Sequence, residues 1–185
     1  MQKTNEMPEV IHLKNLRRKA EICRFSHSEL SDNYKTFRNW NSFAITLFSL
    51  LSAVLLGLYF REILLDEWVL IIIYLIPFFV TLLQTLDKTV FHWSKRQSRH
   101  QSAVEIWGGW IREASYIEKF IPKFSEDEVN EKTQNLQEKY ISCMSNTEQI
   151  PNKKFLKYKE KFYQQVSESK KLDKKYQTVS EEKNE

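Results

Sequence analysis

Residues 43–86 read FAITLFSLLSAVLLGLYFREILLDEWVLIIIYLIPFFVTLLQTL. The first eighteen of them, 43–60, and the last nineteen, 68–86, carry no charged side chain. At a rise of about 1.5 Å per residue each run makes a helix roughly 27–29 Å long, close to the ~30 Å hydrocarbon core of a bilayer. The alternative, two fully buried helices of a soluble core, is poorly served by a chain of 185 residues whose remainder is so polar. The expected fold is an all-α membrane protein: a two-span helical hairpin extended into an antiparallel coiled coil, followed by short C-terminal helices.

Working outward, the mean hydropathy of −0.52 describes neither the apolar hairpin nor the charged remainder. The net charge of +4 is more useful when split by segment. Residues 1–42 hold eight Lys/Arg against five Asp/Glu, residues 87–185 hold nineteen against sixteen, and the connection 61–67 holds one against three. Lys35, Arg38, Lys88, Lys95, Arg96 and Arg99 flank the outer ends of the hairpin, whereas Glu62, Asp66 and Glu67 lie on the connection. The positive-inside bias therefore predicts cytoplasmic termini. Some forty residues rich in charge precede the first span, so no cleaved signal peptide is expected. Cys23 and Cys143 both fall in the segments assigned to the cytoplasm, where thiols stay reduced, and no disulfide is expected.

Residues 1–41 form the expected N-terminal amphipathic helix. Beyond Pro8, which suits a first helical turn, an apolar seam runs at spacings of three and four through Leu13, Leu16, Ala20, Cys23, His27, Leu30, Tyr34 and Phe37. No Pro or Gly interrupts it before Phe43, so one helix is expected to run into the first span. In the hairpin, 42–87, Ser42, Thr46, Ser49, Ala53 and Gly57 share a face, and Ser49, Ala53 and Gly57 repeat a small-xxx-small pattern. Tyr74, Pro77, Thr81, Gln84 and Lys88 do the same in the second span. Such stripes serve helix packing or line water, and spacing does not choose between the two. Pro77 removes one helical hydrogen bond at mid-span, which predicts a fixed bend or a hinge. Trp40, Tyr59, Trp68 and Trp93 mark the span ends as an aromatic belt.

From residue 88 to 121 the helical pattern is expected to continue through Trp93, His100, Ala103, Trp107, Trp110, Ala114, Ile117 and Ile121, closed by Pro122. The adjacent Gly108 and Gly109 predict a bend or the close approach of another backbone. This seam should pair with the N-terminal one. His27 and His100 both sit on seam positions, where neutral imidazoles or a pair sharing one proton are tolerated and two charged rings are not. They are the candidate seam switch. Residues 122–169 hold two amphipathic helices. One opens on a capping box, Ser125 to Glu128, with Val129, Leu136, Tyr140 and Cys143 on a face. The other carries Phe155, Tyr158, Phe162 and Val166 beside Lys153, Lys154, Lys157, Lys159 and Lys161. That basic face suits anionic lipid or nucleic acid, or is a solvated face whose aromatics pack inward. Residues 170–185, with little to bury, are expected to be disordered.

Catalytic equipment is missing. The chain has three glycines and no phosphate loop, nucleophile elbow, HExxH or paired-cysteine zinc spacing, so neither an enzyme nor a cofactor is expected. Cys23 and His27, with His92 and His100, are the nearest approach to a ligand set, but polar groups in a long seam more often set register, and no metal is expected.

The soluble helix, two spans with a short turn, and the run Ser94-Lys95-Arg96, Arg99-His100, Ala103, Trp107 and Trp110-Ile111-Arg112-Glu113 together resemble the SLATT family over roughly residues 10–170. These are two-span effectors of bacterial antiphage defence. The chain is similar to members beside reverse transcriptases, and the resemblance implies a pore-forming or membrane-disrupting protein of the bacterial inner membrane that arrests or kills the infected cell. It also implies a regulatory partner encoded nearby: a reverse transcriptase, a nucleotide second-messenger system or a phage sensor. Because two spans cannot enclose water, a pore requires a homo-oligomer. The competing expectation is a non-conducting anchor or scaffold that recruits an enzyme or nucleic acid through its cytoplasmic helices.

Overall fold

The computed structural model describes residues 8–61 and 67–182. The expected turn at Ile63, Leu64 and Leu65 and the acidic Glu62 and Asp66 lie outside the described residues. Among the described residues there is no strand, and the order of elements is α1 (Pro8–Phe60), α2 (Glu67–Leu86), a π-helical turn (Asp87–Phe91), α3 (Trp93–Phe120), a 3-10 turn (Ile121–Lys123), α4 (Glu126–Asn146) and α5 (Asn152–Glu182). The helical stretches Pro8–Phe60 and Leu70–Lys123 each contain a window long and apolar enough to cross a membrane.

The chain divides into two compact units. The first comprises the chain up to Leu30 and from Arg99 onward. Its core is built where the two seams meet: Leu13, Leu16 and Ala20 of α1 against Ala103, Trp107, Trp110, Ala114 and Ile117 of α3. The Arg17–Glu118 ion pair, 2.6 Å, and the His27–His100 contact fix α1 and α3 as antiparallel. A two-helix seam does not account for the whole core, because α4 inserts Leu136 and lays Tyr140 edge-on against both Trp107 and Trp110, with centroids 5.2 and 5.5 Å apart. Trp110 Nε1–H donates to the Leu136 carbonyl at 2.9 Å, so this indole is satisfied by the third helix. The capping box that opens α4 is formed: Ser125 Oγ accepts from the Glu128 N–H, and the Glu128 carboxylate accepts from the Ser125 N–H.

Helix α5 lies on α1. Tyr158 is buried, Phe162 meets Phe25 at 5.6 Å, and the Arg18 guanidinium sits 5.0 Å from the Tyr163 ring centre. The helix continues to Glu182, so residues 170–182 of the segment expected to be disordered are helical, and 183–185 lie outside the described residues. No Pro or Gly follows Pro151, and the segment is rich in the good helix formers Lys, Gln, Leu and Glu. α3 runs through both Gly108 and Gly109, and the atom nearest to where a Cβ on Gly108 would stand belongs to the Arg24 side chain, 3.7 Å away.

The second unit, Ser31–Ser98, holds the apolar segments. None of the residues 43–60 is buried, and among the described side chains of α2 Ile73 and Ile76 are the buried ones. Pro77 does not end α2, which is helical on both sides of it. The break comes later, and it corrects the expectation of a helix continuing unbroken from residue 88. At Asp87–Phe91 the helix widens to a π-turn, and His92 takes a left-handed conformation, φ 48° and ψ 39°. Its N–H donates to the Asp87 carbonyl at 2.7 Å, while Asp87 Oδ1 accepts from the Trp93 N–H at 3.4 Å. Phe91 and Trp93 stack at 4.8 Å with their planes 5° apart. Side chains two positions apart on a regular helix point away from each other, so this stack exists only because the helix is broken.

Candidate functional site

The polar stripes of the second unit are the first candidate. Thr46, Ser49, Ala53 and Gly57 of α1 are all exposed, as are Tyr74, Pro77, Thr81, Gln84 and Lys88 in α2 and the π-turn. Among the described residues nothing lies within 4 Å of where a Cβ on Gly57 would stand. The hydroxyls are nonetheless not free donors. Thr46 donates to the Ser42 carbonyl at 2.9 Å, Ser49 to Ile45 at 2.8 Å and Thr81 to Pro77 at 2.9 Å. The series continues with Thr85 to Thr81 at 2.8 Å and Thr89 to Thr85 at 2.7 Å. Each hydroxyl thereby spends its proton on its own helix and shows only oxygen lone pairs to whatever lies outside.

Thr85 and Thr89 were missed by the sequence reading. It followed alternating three and four spacing from Thr81 to Gln84 and Lys88, whereas a strict spacing of four from Pro77 leads through Thr81, Thr85 and Thr89. An unbroken run of threonines four apart was the available signal.

The seam histidines form the second candidate. Nδ1 of His27 lies 2.9 Å from Nδ1 of His100, with ring centres 5.1 Å apart and the planes inclined by 38°. Both residues are 3% exposed. Two ring nitrogens at this distance require one to donate and the other to accept, so the contact exists with one shared proton and not with two. Burial, and after it the charge His100 would carry, lower the His27 pKa from 6.5 to about 4. Just below, Ser26 Oγ is buried and donates to the Ile22 carbonyl at 2.8 Å.

The basic face of α5 divides. Lys161 Nζ pairs with the Glu29 carboxylate at 2.7 and 2.8 Å, which ties it to α1, while Lys153, Lys154 and Lys157 are exposed. Among the described residues no three His, Cys, Asp or Glu side chains converge as metal ligands. Burial pushes the Cys23 thiol up to about 11, raises Cys143, and takes Tyr140 up to about 12, so these groups remain protonated and weakly reactive.

In comparisons with known proteins, the chain matches no family model, no curated protein and no solved structure.

Proposed function

We propose that the chain is a membrane effector whose copies assemble through their apolar helices into a pore, or otherwise disrupt the bilayer. The observation that carries the reading is the state of the second unit: none of residues 43–60 is buried, yet they combine lipid-suited side chains with a small-residue face and oxygen-lined stripes. An apolar surface of that size calls for lipid, and a small-residue face calls for a neighbouring helix. In this reading residues 43–60 and 68–86 cross the membrane as a hairpin, with both termini cytoplasmic and the α1–α3 seam as a coiled-coil-like extension. Thr46, Ser49, Thr81, Thr85 and Thr89 turn inward, and Lys88 stands at the cytoplasmic mouth.

Resemblance to the SLATT family supplies the setting: the inner membrane of a bacterium, antiphage defence, and arrest or death of the infected cell. A partner encoded nearby then supplies the trigger. The scaffold alternative draws on Lys153, Lys154 and Lys157, which are free of the ion pair that holds Lys161. Purified full-length protein reconstituted into liposomes decides between the two. Release of a small trapped dye is expected on activation, and vesicles that stay tight under every activating condition tried, at a protein density sufficient for several copies per vesicle, would overturn the pore.

A further inference from the structure

Within the second unit, two segments flank the apolar runs on the side of the termini: 31–42 of α1, and 87–98, which holds the π-turn, His92 and the start of α3. Together they carry Lys35, Arg38, Lys88, Lys95 and Arg96 against Asp32 and Asp87. Aromatic contacts join the two segments. Trp93 stacks on Phe91 and also on Phe37 of α1, with ring centres 4.8 and 6.3 Å apart. Three residues further along α3, the Arg96 guanidinium lies 5.9 Å from the centre of the Tyr34 ring. Arg38 follows Tyr34 by four residues and so shares its face of α1. Two guanidinium groups therefore gather about Tyr34. Among the described residues no carboxylate pairs with either of them, or with Lys35 or Lys95, and the Asp87 carboxylate accepts from the Trp93 N–H. The contacts that unite the segments thus collect like charges that repel one another, and no group of the chain offsets them.

Depth along α1 identifies the missing counter-charge. Arg38 precedes Phe43, where the apolar run begins, by five residues, or about 7.5 Å of helix. A bilayer roughly 40–45 Å thick around a ~30 Å hydrocarbon core leaves about 5–7.5 Å of headgroup region on each side. With residues 43–60 in the hydrocarbon, Arg38 stands at the level of the headgroups, and long side chains such as those of Lys35 and Arg96 extend to the same level. A lipid suits this surface better than other polyanions. Nucleic acid would satisfy the cations but leave Trp40 and Phe43, 67% and 58% exposed, facing water, whereas a lipid covers the rings as well. A second, parallel copy would bring the same cations and add to the repulsion. The phosphate of a zwitterionic lipid already carries its own cation, so an anionic lipid supplies the charge that is lacking.

We propose that Arg38 and Arg96, supported by Lys35 and Lys95, hold the phosphate of an anionic phospholipid at the cytoplasmic face of the membrane. The guanidinium groups donate to the phosphate oxygens, and the acyl chains lie along the apolar runs below. Lys88, already assigned to the pore mouth, is not part of this site. The inference rests on the reading of residues 43–60 and 68–86 as membrane spans, and it stands whether or not the copies form a pore.

Native mass spectrometry of the full-length protein tests the site, using detergent micelles that contain equal amounts of phosphatidylglycerol and phosphatidylcholine with identical acyl chains. The parent is expected to retain phosphatidylglycerol about 10-fold over phosphatidylcholine, as charge-assisted contacts to one phosphate would give. Arg38→Gln with Arg96→Gln should bring the ratio close to one. Lys153→Gln, Lys154→Gln and Lys157→Gln together, on α5, should leave it at the parent's value. Equal retention by the parent, a preference that survives the two arginine substitutions, or one abolished by the α5 substitutions would each overturn the site. Should the arginine variant fail to give the parent's circular dichroism spectrum, Lys35→Gln with Lys95→Gln, both at exposed positions, decides: a lowered ratio is expected, and an unchanged one overturns the site. Alkaline extraction of membranes carrying the parent keeps the two readings apart. Protein that stays in the membrane yet shows no lipid preference overturns the site and leaves the spans, whereas protein that is extracted overturns the spans and the site with them.

Discussion

The Nδ1 atoms of His27 and His100 face each other across 2.9 Å in the seam between α1 and α3, where each ring is almost wholly buried. This contact needs one proton between the facing nitrogens. A neutral pair in complementary tautomers supplies it, whereas two doubly protonated rings would be adjacent buried cations with no acceptor between them.

Replacing one member of the pair should therefore cost more than replacing both. His27→Leu alone leaves the inward nitrogen of His100 facing a methyl group and should lower stability by about 1–3 kcal/mol. The double variant, His27→Leu with His100→Leu, removes the polar pair in favour of apolar packing and should be as stable as the parent or more so. Thermal melts of the detergent-solubilised proteins check the order, and a single variant as stable as the double one would contradict it. If the seam must rearrange for activation, the double variant should also permeabilise membranes less than the parent at equal expression; undiminished damage would make the seam purely structural.

The same pair gives a pH dependence with a definite sign. His27 titrates near 4 in the folded chain, against 6.5 for an ordinary histidine, so between those values the unfolded chain binds a proton that the folded chain does not. The pair's contribution is complete above about pH 6.5 and is lost as the pH falls towards 4. Melting temperatures measured from pH 7.5 down to 4.5 should fall in the parent, and should fall less steeply in the double leucine variant.

How much of this was legible in the sequence depends on the physics of each element. The three/four spacing of Leu13, Leu16 and Ala20, and of Ala103, Trp107, Trp110, Ala114 and Ile117, singles out side chains that do lie in the buried cluster, because helical periodicity reports which face is apolar. It does not report what covers that face. Hence the share of α4 in the core, through Leu136 and Tyr140, was not visible, and a two-helix seam was expected where three helices meet. Phe37, at the end of the α1 pattern, is more than half exposed, which periodicity alone does not distinguish from burial. The break at His92 left no trace either, since Asp87–Phe91 contains neither Pro nor Gly, and the π-turn is held by backbone and Asp87 carboxylate geometry with no residue-type signal.

That break supports a prediction about the backbone. His92 holds a left-handed conformation that costs little for glycine and a great deal for a β-branched residue. His92→Gly should retain or slightly raise the melting temperature, whereas His92→Val should lower it by an amount corresponding to about 1–3 kcal/mol. If valine is accepted without loss, the left-handed turn is not maintained in the protein.

The threonine series in α2 and the π-turn offers the sharpest test of which way the apolar helices face. Thr81, Thr85 and Thr89 each donate their proton to a carbonyl one turn earlier on the same run of chain, so their hydroxyls are satisfied whether they meet lipid or water. Valine has nearly the same shape and no oxygen. Thr81→Val, Thr85→Val and Thr89→Val made together should leave the fold and the amount of membrane-inserted protein close to the parent's, because each hydroxyl's hydrogen bond is a local one to a carbonyl of its own run of helix, whose loss costs little. What changes is the outer surface of the stripe, from a row of oxygen lone pairs to a row of methyl groups. In a pore this removes the groups that replace water around a passing solute, and dye release from liposomes should fall at least several-fold. On a lipid-facing surface the same change is favourable or neutral, and release should match the parent's. Equal release by parent and triple variant at equal insertion would therefore show that this stripe faces lipid, and would move the pore lining to the Thr46 and Ser49 face of α1.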